Sequence, residues 1–191
     1  MTTTASAPTL ESGAPRRRRS PRRRLIVVGA LVAVLAGYSA WANLRPLTLS
    51  ATIEVDATSE QVWSVLADLD AYAEWNPFIV SSSGELEVGS TVRHVIRSGD
   101  GTTTFTPTVL AVEPGRELRW VGRVPPGGVF DGEHSFTIEP LGPNRVRLKQ
   151  TERFAGVAVP IATGFLKRDI LPRFEAMNRA LAEQVARHGR G

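Results

Sequence analysis

The sequence predicts an α+β domain: an antiparallel sheet of seven strands and one long C-terminal helix, carried behind an N-terminal transmembrane segment. Three observations predict it. Residues 25–42, LIVVGALVAVLAGYSAWA, are uncharged over a length just sufficient to cross a bilayer. Between residues 46 and 154, short runs of alternating apolar and polar residues are joined by brief Gly- and Pro-rich connections, which make antiparallel neighbours. Finally, Leu166, Ile170, Phe174, Met177, Leu181 and Val185 recur at spacings of three and four, the stripe of an amphipathic helix.

The elements follow in order. Residues 1–24 are Thr-, Ser-, Ala- and Pro-rich and end in RRRRSPRRR; nothing there can build a core, so a disordered basic tail is expected. Residues 25–43 form the transmembrane segment, with Tyr38 and Trp41 placed as interfacial aromatics. Seven Arg precede it and only Arg45 closely follows, which leaves the N-terminus cytoplasmic and residues 46–191 outside. The segment reads as a retained signal anchor. Alternatives are a signal peptide cleaved at Ala40-Trp41-Ala42 and a loose twin-arginine signal at Arg22–Ile26.

The domain occupies residues 46–190. LTLSATIEV alternates as a half-buried strand. Thr58 and Gln61 are spaced as a capping box opening a helix with Val62, Trp63, Leu66 and Leu69 on its apolar stripe. A short second helix over 71–75 stops at Asn76, because Pro77 disfavours helix just before it. Strands are expected at 79–87, 91–98, 102–112, 117–123, 130–139 and 145–154, with a closing helix kinked by Pro172.

Charge and composition exclude several functions. Residues 1–45 carry eight Arg and one Glu, whereas residues 46–191 carry fifteen Lys or Arg against eighteen Asp or Glu. The overall charge of +4 thus belongs to the tail, and the mildly acidic domain has no nucleic-acid footprint. With no Cys, three His and no HExxH, neither a metal nor any other cofactor is expected.

The candidate site lies in the strands. Alternation places Phe130, Gly132, His134, Phe136 and Ile138 on one face of their strand, and Val146, Leu148, Gln150, Glu152 and Phe154 on one face of the next. A His, a Gln and a carboxylate therefore interrupt faces that should be buried, and unpaired buried polar groups are costly. They suggest a lined cavity. A hairpin through Gly142 would set His134 opposite Gln150 and Gly132 opposite Glu152; earlier hairpins set His94 opposite Phe105 and Val109 opposite Trp120. His134 and Glu152 are the candidate acid and base if the protein is an enzyme. Trp75, Asn76, Trp120, His134, Gln150, Glu152 and Phe174 are the candidate ligand-binding residues. Each has a plainer role too: His134 as a core histidine satisfied by Gln150 or Glu152, the tryptophans as packing, Asn76 as a turn former. His94 lacks an inward acidic partner in this register and reads as structural.

The order of elements, with IEVDATSEQVWSVLADLDAYAEWNPF, VEPGRELRWVG, FDGEHSFTIEP, QTERFAG and MNRALAEQ, resembles the START-like SRPBCC superfamily, in its polyketide cyclase/dehydrase and lipid-transport branch. The resemblance covers residues 48–188 and implies a helix-grip fold, in which the sheet wraps the long helix around a cavity. In that group the WNP segment at Trp75–Pro77 would border the entrance. The N-terminal anchor departs from the usual cytosolic member. Three functions are expected in turn: binding of a small hydrophobic or amphipathic ligand of lipid, polyketide or isoprenoid class; a cofactor-free cyclase or dehydratase; or a protein-interaction domain with a closed cavity. Protein partners are not indicated by the sequence.

Overall fold

The computed structural model describes residues 21–189. The chain divides into two units, residues 1–37 and 38–191. The expected tail lies outside the described residues as far as residue 20. Helix α1 (Pro21–Leu44) starts within the first unit, and its closing turns belong to the second. From Arg22 to Leu44 it is long and apolar enough to cross a membrane, roughly 34 Å at 1.5 Å per residue. Leu25, Val28, Leu31 and Leu35 are all exposed along it.

In the second unit, β1 (Leu47–Val55) leads to α2 (Ser59–Ala67) and the single turn α3 (Tyr72–Trp75). Then come β2 (Ile79–Gly84), β3 (Val92–Ser98), β4 (Gly101–Phe105), β5 (Thr108–Glu113), β6 (Glu117–Val124), β7 (Phe130–Gly142), β8 (Arg145–Ala155) and α4 (Val159–His188). The capping box is present: Gln61 N donates to Thr58 Oγ1 at 3.3 Å and Thr58 N donates to Gln61 Oε1 at 2.9 Å. The chain leaves α3 at Asn76, whose Oδ1 accepts from Phe78 N and Ile79 N at 2.9 and 3.0 Å. That is turn chemistry, in which an Asn side chain stands in for backbone.

The seven expected strands are eight among the described residues, in two antiparallel sheets: β1-β8-β7-β6-β5 and β2-β3-β4. The strand expected over 102–112 is interrupted at Thr106-Pro107. Pro107 has no N–H to give a ladder, while its carbonyl accepts from Val92 N at 3.0 Å. There the chain passes from the small sheet to the large one, and a lone bridge, Thr91 to Thr108, spans the change.

One register differs from expectation. The β7–β8 turn is Pro143-Asn144, with Gly142 opposite Arg145, and a bulge between Pro140 and Gly142 offsets the ladder beyond it. His134 therefore faces Glu152, Gly132 faces Phe154, and Phe136 faces Gln150. The shift is two residues, which preserves every inward face. On the outer face Glu133 stands opposite Arg153 and Glu139 opposite Arg147. Arg147 also reaches Glu54, and Arg119 reaches Glu133.

Helix α4 runs on through Pro172 and lays Leu181, Val185 and Met177 against Val62, Leu66, Leu118, Phe136 and Leu148, the main core. A second cluster joins Leu49, Ala51 and Phe154 to Val159, Leu166 and Phe174. Each side chain of this kind contributes roughly 1.5–3 kcal/mol when buried.

The β8–α4 junction turns on Gly156, at φ +129°, where a Cβ would strike the Val129 carbonyl and sit 2.9 Å from Phe130 N. Gly156→Ala should therefore lower the midpoint of thermal unfolding by several degrees, the backbone conformation alone costing about 1–3 kcal/mol. Gly142→Ala has open space around its Cβ and should leave the midpoint unchanged in the same calorimetric comparison.

Candidate functional site

Four strands and one helix bring polar groups to the concave side of the sheets. Strand β7 supplies His134, β8 supplies Gln150 and Glu152, β6 supplies Trp120, β3 supplies His94, and α4 supplies Phe174 and Met177; all line one cavity of about 160 Å³. Phe78, Phe105, Ile170 and Arg173 complete much of its wall. Of the residues singled out from sequence, Trp120, His134, Gln150, Glu152 and Phe174 are brought together here. Trp75 and Asn76 lie outside the lining: Trp75 packs edge-on against Tyr72 at 5.0 Å, and Asn76 shapes the α3–β2 turn.

The centre of the site is a hydrogen-bonded chain. His134 Nδ1 lies 2.7 Å from Glu152 Oε2, and His134 Nε2 lies 3.0 Å from Gln150 Nε2, which also points at Met177 Sδ at 3.5 Å. An amide nitrogen only donates, so His134 Nε2 accepts and the ring proton sits on Nδ1, donated to the carboxylate. The imidazole is thereby held as one tautomer. Protonating Nε2 would remove that acceptor and oblige the Gln150 amide to turn over and offer Oε1 instead. Gly132 makes room for Glu152, because a Cβ there would overlap its Oε1.

Aromatic rings fix the imidazole in place. Trp120 stacks on His134 at 5.2 Å with 8° between planes, and Phe174 meets it edge-on at 5.1 Å and 84°. Rings at this spacing prefer such offset and T-shaped arrangements. Beyond Trp120 lies His94 at 5.3 Å, itself stacked on Tyr72. The Tyr72 hydroxyl donates to Leu66 O at 2.7 Å, and burial, reinforced by the Asp68 charge, holds its pKa well above the ordinary phenol value.

His94, read from the sequence as structural, also lines this cavity. It is 2% exposed, its Nδ1 is 2.9 Å from Ser82 Oγ, and its Nε2 is buried with no partner among the described residues. Its inward parity in β3 was the available signal; its partner, Ser82, is hydroxylic and not acidic. Burial, and secondarily the nearby His134, lower its pKa to about 4. Gln150 Oε1 is likewise buried without a partner. Natural interiors rarely strand such atoms, and these two belong to side chains that line the same cavity. Arg173 adds a cation: its guanidinium lies 5.6 Å over the Phe78 ring, and among the described residues no carboxylate comes within salt-bridge distance of it. Among those residues no cluster of three or more His, Asp or Glu is arranged for a metal ion.

A histidine whose pKa falls from the usual 6.5 to about 4 on folding binds fewer protons folded than unfolded. Its neutral burial is without penalty above pH 6.5, and stability is lost as the pH drops from there through about 4. At pH 4 the loss amounts to roughly 3 kcal/mol from this residue. His94→Leu should flatten the urea-unfolding stability between pH 7 and 4.5 relative to wild type. An unchanged slope would remove His94 from the account.

Comparison with known proteins agrees with this architecture. The family model for polyketide cyclase / dehydrase and lipid transport matches residues 46–186. Among solved structures, the Zhui aromatase/cyclase from Streptomyces sp. R1128 is similar at TM-score 0.62 and 20% identity, over 75% of this chain and 95% of that one. A START superfamily protein from Mycobacterium smegmatis is similar at TM-score 0.57 and 24% identity, over 73% and 97%. Norcoclaurine synthase from Thalictrum flavum, in complex with dopamine and hydroxybenzaldehyde, matches at TM-score 0.58 and 15% identity, over 77% and 91%. No curated protein sequence matches the chain. With α4 gripped by antiparallel sheets in the same fold as the START superfamily structure, and the family match spanning nearly all of the domain, the chain belongs to the polyketide cyclase/dehydrase and lipid transport family.

Proposed function

We propose that residues 46–190 bind a small hydrophobic or amphipathic molecule, of lipid, polyketide or isoprenoid class, in the cavity between the sheets and α4. The observation that carries this reading is the pairing of an apolar, aromatic wall with two stranded polar atoms, Gln150 Oε1 and His94 Nε2. The wall supplies affinity at about 25 cal/mol per Å² of apolar surface covered. A hydroxyl or N–H of the ligand satisfies Gln150 Oε1, and His94, neutral across the physiological range, adds a second uncharged contact. An open space of about 160 Å³ speaks against a filled core serving only protein contacts.

A second reading, a cofactor-free cyclase or dehydratase, is favoured by one contact: the 2.7 Å hydrogen bond that readies Glu152 beside His134. Glu152 would take a proton from carbon next to a carbonyl, leaving an enolate that adds to a second carbonyl in a cyclisation, or expels a hydroxyl as water with the proton Glu152 has just taken in a dehydration; His134 would hold the carboxylate in position for it. The aromatase/cyclase neighbour lends that reading its reaction class. Native mass spectrometry of the detergent-purified full chain, followed by extraction, tests for a carried molecule. Gln150→Leu should weaken retention of that molecule roughly 5- to 100-fold, the loss of one hydrogen bond from a buried group. Glu152→Gln separates the two readings. A carrier keeps its ligand nearly as well, whereas an enzyme loses turnover by orders of magnitude.

We also propose that α1 is a retained anchor, with the N-terminus cytoplasmic and the domain outside. Seven Arg precede the apolar run, and Ala42, in the small-x-small sequence suited to cleavage, is fully buried. The Tyr38 hydroxyl donates to Val157 O at 2.8 Å, so the last turns of α1 are built into the domain. A phosphatase reporter active only outside the cytoplasm, fused after Gly191, should be active, and immunoblots should show the uncleaved chain. Activity of a strictly cytoplasmic reporter at that position would reverse the topology.

A further inference from the structure

The cavity that holds the polar atoms is small. At about 160 Å³ it matches the space that encloses a single benzene ring, and falls below the few hundred Å³ usual for ligand sites. Beside it lies a groove of about 490 Å³ bordered by Phe105, Gly122, Val124, Phe130 and Gly132. Phe105 lines both spaces. Gly122 and Gly132 are direct cross-strand partners on β6 and β7. The Phe105 ring lies where a Gly122 side chain would be, and the Glu152 carboxylate lies where a Gly132 side chain would be. Two facing glycines thus cede their side-chain space to Phe105 and Glu152 where cavity and groove adjoin, with Phe105 as the partition.

The chemistry divides at that partition. The buried, partnerless atoms of His94 and Gln150 belong to the cavity, together with His134 and Glu152. The groove is mainly apolar: Val124 is 51% exposed, and Pro125 and Phe130 lie beside it, with a rim of threonines on β4. Its one cation, Arg123, faces Asp131 at 4.0 Å. We infer that the groove is the second half of the ligand site: it takes the apolar tail of an amphipathic molecule whose hydroxyl-bearing ring occupies the cavity. The inference rests on the binding reading above and narrows its ligand to a single polar ring with an extended hydrocarbon tail. For head and tail to be held together, the Phe105 ring turns off Gly122. Phe105 is the last residue of an edge strand, just before the Pro107 break, and so is well placed to move.

Two probes that share a head and differ in tail test this: 4-methylphenol and 4-butylphenol, titrated calorimetrically into the full chain in detergent micelles against a micelle blank. The wild type should bind 4-butylphenol more tightly by about fourfold for each added methylene. Val124→Asp places a charge in the groove at an exposed position, outside the polar site. It should abolish the tail gain while keeping 4-methylphenol affinity within about twofold, a change below 0.5 kcal/mol. Binding of 4-methylphenol without a tail gain in wild type, or a gain that survives Val124→Asp, overturns the groove and leaves the cavity reading standing. Failure of the wild type to bind either phenol overturns both.

Discussion

A hydrogen-bonding chain set into a wall that must otherwise be apolar is the constraint on which the site depends. Glu152, His134, Gln150 and Met177 run in sequence from β8 to β7, back to β8, and across to α4. Each link removes a donor or acceptor that burial would otherwise penalise, and the low local dielectric makes every partnered link count for more. The chain is directional: the amide fixes the imidazole tautomer, and the tautomer fixes the proton given to the carboxylate. It also ties the sheet to the helix at the point where the cavity opens between them. Trp120 and Phe174 are needed because a histidine held by hydrogen bonds at its edge still requires its faces filled.

Family membership narrows the chemistry less than it narrows the fold. The structural neighbours named above share 15–24% identity with this chain, enough to establish the helix-grip arrangement. What a cavity of this architecture does is decided by the side chains that interrupt its wall. Here they are two histidines, an amide and a carboxylate among aromatic rings, with an arginine at the side. That set offers uncharged hydrogen-bonding partners and one proton acceptor held by hydrogen bonding.

Features with a short physical range could be read from the sequence. The Thr58 cap, the stop at Asn76 and the α4 stripe each depend on residues three or four apart. The inward faces of β6, β7 and β8 depend only on a period of two, so Trp120, His134, Gln150 and Glu152 converge as expected. Register was less accessible, because the extra residue at Leu141 depends on how Gly142-Pro143-Asn144 folds its turn; the resulting offset of two spared the faces but exchanged the partners. The break at Pro107 was masked by good strand residues on both sides. The Ser82 partner of His94 was hidden for a similar reason: it comes from β2, whose pairing with β3 contains an irregularity between Ile79 and Ser81. Family resemblance assigned Trp75 and Asn76 to the entrance, yet their polar atoms are spent on, or buried within, local packing of the α3–β2 turn.

The interruption at Thr106-Pro107 has a consequence for cooperativity. Strand β4 is bonded on one edge only, and its burial runs exposed from Gly101 to Thr104 and half-buried at Phe105. Its hold on the rest of the domain is therefore concentrated in its ladder with β3 and in one aromatic ring. The five-stranded sheet has no such weak margin beside the site: β6, β7 and β8 are each paired on both edges. By this pairing, β4 is expected to detach in a sub-global excursion at lower cost than any opening of β7. Amide protons of β4 should then exchange through a lower-energy opening than those of β7, which makes the Phe105 side of the cavity wall the one expected to yield first.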